Sequence, residues 1–125
     1  QYLNDIKMKG YIPSIETRTP FKNIPIIAES EIINDFDEIM LPLNFYGYMM
    51  DCNFLTNENK EKIQNLLSSL NKKVIANRTL ATGILQPKEA YEFISKVDYV
   101  NSVCVGVAKV EEVEETFSII NSYKS

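Results

Sequence analysis

Residues 77–83 read Asn-Arg-Thr-Leu-Ala-Thr-Gly and follow an apolar run that ends at Ala76. An arginine just beyond such a run can present its guanidinium fork to a phosphate or carboxylate through two parallel hydrogen bonds. Asn77 and Thr79 flank Arg78 with further polar groups. Arg78 could instead point to a rim and pair with Glu16 or Glu29. Thr82 and Gly83, and later Gly106, precede helix-like segments, whose free backbone N–H groups bind anions. The same glycines also serve tight turns and close packing. Lys109 closes the second of these joints. Glu16 is the best acid/base candidate, with Arg18 as an anion clamp; an ion pair between them in solvent would contribute little. Asn44, two residues after Pro42, can hydrogen-bond a ligand or cap its own turn, the usual role of asparagine in loops. Together these residues suit a small anionic metabolite, a phosphorylated one included.

The chain contains no histidine, so the commonest general base and metal ligand is missing. A zinc site would need carboxylates and thiols alone, without paired spacing, so no metal is expected and the cofactor is unknown. Cys52 and Cys104 make no disulfide framework, and a reduced, cytoplasmic protein is expected. Cys104, inside an apolar run, reads as a small core residue. Glu111, Glu112, Glu114 and Glu115 read as the solvated face of a helix rather than as catalytic carboxylates.

These residues lie far apart in sequence, so strands and helices must bring them together. Residues 10–17 read as a strand. Residues 19–36 read as a helix, with Thr19 as cap and Pro20 at its first position. Pro25 must then fall in the first turn or break it. Residues 37–44 are nearly continuously apolar, as in a strand buried on both faces. Tyr46, Tyr48, Met49, Met50 and Phe54 crowd the next joint, which is too apolar to be simply solvated. It is a lid over a ligand or, preferably, a surface packed on a second chain. Residues 56–71 form an amphipathic helix with an Ile63, Leu66, Leu67 and Leu70 stripe. Residues 72–79 are a third strand. Residues 87–98 are a helix opened by Pro87, with Ala90, Phe93, Ile94 and Val97 inward. Residues 101–108 read as a fully buried fourth strand, and 110–123 as a last helix with Val110, Val113, Phe117 and Ile120 facing the core. A helical stub, 1–9, comes first. Strands starting near 11, 38, 73 and 101 recur at the length of a βαβ unit.

The expectation is one α/β domain of four consecutive βα units with parallel strands and right-handed crossovers. It is either half of, or a fragment of, a (β/α)8 TIM barrel, a fold of about 250 residues, or a small open α/β sheet. Both place function at the C-terminal ends of the strands, so Glu16, Asn44, Arg78 and Gly106 should converge on one rim. The 125 residues are 45% hydrophobic and 24% charged, as in a soluble domain, with a net charge of −4. The acidic balance argues against nucleic acid or an anionic membrane as partner. No apolar run has the length of a membrane span, and no secretory leader is expected.

Two stretches, KKVIANRTLATGILQPKEAYEFI and VDYVNSVCVGVAKVEEVEETFSI, resemble the last two units of a TIM-barrel family. The shared pattern is a strand, Leu-Ala-x-Gly, a helix opening Pro-x-Glu-Ala, a strand ending in Val-Gly-Val-Ala, and an acidic helix. Over residues 38–120 the chain is similar to the C-terminal part of aldo/keto reductase-like barrels and related uncharacterised archaeal and bacterial TIM-barrel proteins. MLPLNFYGYMM is similar to a strand-end joint of the latter. The resemblance implies the C-terminal half of a barrel. In the reductases the catalytic tyrosine, lysine, aspartate and histidine come from the first half. A basic residue on the last helix meets the nicotinamide cofactor's 2′-phosphate, where this chain reads Lys109-Val110-Glu111-Glu112. A half-barrel exposes its outer strands, so a homo-oligomer or a missing N-terminal half-barrel is the expected partner. The alternatives are a non-catalytic structural or interaction domain and an aldo/keto reductase-like remnant.

Overall fold

The structure, a computed structural model, describes residues 1–53 and 56–123. Helix α1 (Tyr2–Met8) precedes β1 (Ser14–Glu16), α2 (Pro20–Ala28) and β2 (Glu38–Pro42). Helix α3 (Asn57–Leu70), β3 (Lys73–Asn77), α4 (Pro87–Ser95), β4 (Ser102–Val103) and α5 (Val110–Ser122) follow. The Thr56 hydroxyl caps α3 by accepting from the Asn59 N–H, and Asn71 ends that helix in the left-handed conformation. Gln86 and Glu89 form a capping box ahead of α4, with Pro87 in its first turn. The helix expected over 19–36 is divided. Pro25 lies inside α2 without breaking it, but Ser30 is extended, and only a 3-10 turn (Glu31–Asn34) follows. Thr19 makes no side-chain cap; Asp51 receives the Phe21 and Lys22 N–H groups instead, at 3.1 and 2.9 Å.

The four strands are all parallel and lie in the order β1-β2-β3-β4. Right-handed crossovers through an unreversed order place successive helices on one face of a sheet. Burial agrees. Ile39, Leu41, Val74 and Ala76 are buried in one core with Ile24 of α2, Ile63, Leu67 and Leu70 of α3, and Ile94 of α4. The opposite face is set by the register, which aligns Ser14 with Glu38 and Lys73, and Glu16 with Met40, Ile75 and Ser102. These residues are exposed or half-buried, whereas the next aligned pair, Pro42 and Asn77, is buried, so among the described residues this face is open except at the strand ends. Parallel sheets are ordinarily covered on both sides. The expectation that 37–44 is buried on both faces therefore holds toward the strand end, where Pro42 and Asn44 are buried, but not at Glu38 and Met40, which are half-buried.

The C-terminal edge departs furthest from expectation. Only Ser102 and Val103 of the 101–108 run form a ladder, although Cys104 N–H still reaches Ala76 O at 2.8 Å. Among the described residues strand β4 has no neighbour on its outer side, and Cys104, expected in the core, is exposed. Helix α5 rests on α4 beside this bare edge. Its apolar stripe stays open, with Val110 72% and Phe117 45% exposed, and Thr116 is its buried residue. In the crowded joint Met50 is fully buried, while Tyr46 and Tyr48 remain exposed; Phe54 lies outside the described residues. No helix among the described residues is long and apolar enough to cross a membrane.

Candidate functional site at the strand ends

The backbone turns sharply where β3 ends. Arg78, Ala81 and Thr82 have φ of 53, 46 and 62°, and Gly83 has 87°. Left-handed backbone is uncommon outside glycine, and here it is held from several sides. The Arg78 carbonyl accepts from the Ala81 N–H at 3.0 Å and from Asn44 Nδ2 at 3.2 Å. Asn44 is fully buried; its Nδ2 also donates to Tyr48 O, and its Oδ1 accepts from Tyr48 N–H at 2.8 Å. Asn44 thus ties the β2 loop to the β3 turn. Thr79 is buried and shares a 3.0 Å hydroxyl contact with Tyr91 of α4. Burial, the larger effect, pushes the Tyr91 phenol above its ordinary range, and the Thr79 bond draws it partly back. The Gly83 N–H donates to Leu80 O at 2.9 Å, and the Thr82 hydroxyl to Ala81 O at 2.6 Å. Those two groups are occupied within the turn.

A cleft of about 780 Å³ opens between this turn, the end of β4 and the start of α5. Glu16, Asn77, Arg78, Thr79, Thr82, Gly83 and Gly106 all line it. Arg18, Asn44 and Lys109 do not; Arg18 and Lys109 are exposed and Asn44 is buried beneath the turn. Glu16 and Asn77 stand on the open face of the sheet, on either side of β2, and Asn77 Nδ2 donates to Glu16 Oε1 at 3.0 Å. Among the described residues the ion pair is Lys96–Glu92 at 2.8 Å, so Arg78 meets no carboxylate there, and the alternative pairing with Glu16 or Glu29 is not formed.

No protein-family model matches the chain, nor does any curated protein or any solved structure.

The cleft also contains residues that the sequence reading placed elsewhere. Cys104 lines it instead of the core. Glu112 and Glu115 line it, although they were expected on a solvated face. Their three-residue spacing puts them on one side of α5, which was a usable signal. Glu112 Oε2 also accepts the Ala108 N–H at 2.8 Å and so braces the turn into the helix. Among the described residues no three histidine, cysteine, aspartate or glutamate side chains gather as metal ligands. The other cysteine, Cys52, is half-buried, and its thiol is pushed up to about 11, by burial first and then by Asp51.

Proposed function

We propose that the chain is one half of a (β/α)8-type barrel and binds a small anionic metabolite in the rim cleft, with Arg78 as the anion contact. Arg78 is the observation that carries the binding reading. It lines the cleft, meets no carboxylate among the described residues, and sits in left-handed backbone. Such backbone costs about 1–3 kcal/mol and clusters at ligand sites. The unreversed strand order and the partly uncovered second face support the half-barrel, which a second copy or further βα units would complete. The aldo/keto reductase-like parent fold follows from the resemblance alone. Glu16, beside the cleft floor, is the acid/base candidate.

Thermal unfolding against a panel of phosphorylated metabolites tests the binding. A ligand of the native state must raise the melting temperature. The expected result is such a rise in the parent chain and its loss in Arg78→Ala, whose own melting temperature changes little. If no member of the panel raises it, the binding reading fails. The second reading, a non-catalytic structural or interaction domain, is favoured by Asn44, Thr79 and Gly83, whose polar groups bond within the protein. The same panel decides between the two.

A further inference from the structure

We infer that the outer edge of β4, with the overhanging face of α5, receives the β1 edge of a second copy of this chain. This rests on the half-barrel reading and names its partner, the two surfaces and the residues that match across them.

The β4 side is short of two things at one place. Among the described residues β4 pairs only with β3, so its outer N–H and C=O groups have no strand to bond. Helix α5 packs chiefly on α4. A groove of about 460 Å³, lined by Val100, Val103, Phe117 and Ile120, stays open between α5 and β4. A right-handed crossover carries the helix after β4 out toward the strand that would come next. Val110, Val113 and Phe117, all exposed, therefore overhang an empty strand position. One parallel strand laid beside β4 meets both needs.

The β1 side of the same chain fits that position. Among the described residues β1 pairs only with β2, so it too offers an open edge. Tyr11 and Ile12, just before it, are 70% and 60% exposed, and Ile26 of α2 is exposed as well. Helix α1, which leads into β1, has no buried residue and does not lock this edge shut. Charge supplies the match. Glu111 and Glu114 are exposed at the start of α5, bordering its apolar stripe. Arg18 and Lys22, exposed at the end of β1 and the start of α2, meet no carboxylate among the described residues. Both pairs lie at the C-terminal ends of the strands. With the strands parallel they come level, the glutamates of one copy beside the cations of the other.

Light scattering on the full chain should give about twice 14.3 kDa. Ile12→Lys spoils the β1 side and Phe117→Lys the α5 side, so either variant alone spoils every contact and should run as a monomer. Losing such an apolar anchor weakens association by about thirtyfold or more. Mixed one to one, the two variants keep one intact contact and should run as a dimer again. Circular dichroism checks that each variant folds, and Val110→Lys, at a more exposed position, replaces Phe117→Lys if it does not. Arg18→Glu should weaken the dimer more at low salt than at high salt. A parent chain that stays monomeric at high concentration overturns this inference and leaves the half-barrel to be completed by further βα units. No recovery in the mixture overturns the pairing of these two surfaces. A dimer broken by Phe117→Lys but not by Ile12→Lys means that α5 faces its own copy, which overturns both this inference and the half-barrel reading.

Discussion

Thr79 and Tyr91 meet through hydroxyls that are both shut away from water. Removing one leaves the other unsatisfied, at about 1–3 kcal/mol, whereas removing both is nearly neutral. Thr79→Val and Tyr91→Phe should therefore each destabilise by about that amount. The double variant should lose far less than the sum, and a double-mutant cycle in urea measures the coupling. Strict additivity would mean that the bond carries no stability. At this scale the sequence told only part of the story. That Glu16, Asn77 and Arg78 stand at strand ends followed from the apolar runs before them. That Asn44 and Thr79 turn inward did not, because their partners, Arg78 and Tyr91, lie 34 and 12 residues away and are selected by packing.

Among the elements, strands β2 and β3 and helices α3 and α4 were legible, since each carries its own period and caps. The last unit departs from its sequence pattern for a physical reason. Residues 101–108 and the α5 stripe are apolar enough to be buried, but burial needs a neighbour, and β4 is the edge of the sheet. The division at Ser30 was equally hidden, because Ile32 and Ile33 continue a helical spacing that the backbone does not follow. Thiol chemistry checks the edge assignment. With its thiol pushed up to about 11, Cys52 is almost wholly protonated at pH 8, and the thiolate is the nucleophile. Iodoacetamide at that pH should modify exposed Cys104 well before half-buried Cys52, as read by peptide mass spectrometry. Cys52 should gain reactivity as the pH rises toward 11, because folding favours its protonated form. Modification of Cys52 first would contradict the exposed edge.

For the whole molecule, the partly open sheet face and the two outer strands, unpaired on one side among the described residues, are the features that a further chain would cover. Alternating strand and helix patterns made the parallel sheet legible, but no residue spacing announced that the winding never reverses, because strand order is a property of tertiary packing. If a second copy completes a barrel with this sheet, light scattering on the eluted chain should give about twice its 14.3 kDa. A stable monomer at high concentration would remove the second copy as the completing half.

The unreversed order has one more consequence. A sheet wound in a single direction has a head, β1, and a tail, β4, and they are different surfaces. Joining tail to head is a heterologous contact, which generates either a closed ring or an endless filament. A closed eight-stranded barrel needs its strands tilted by about 35–45°. Were copies of the chain to join in this way, how strongly each four-stranded sheet curls would decide between a closed ring and a filament.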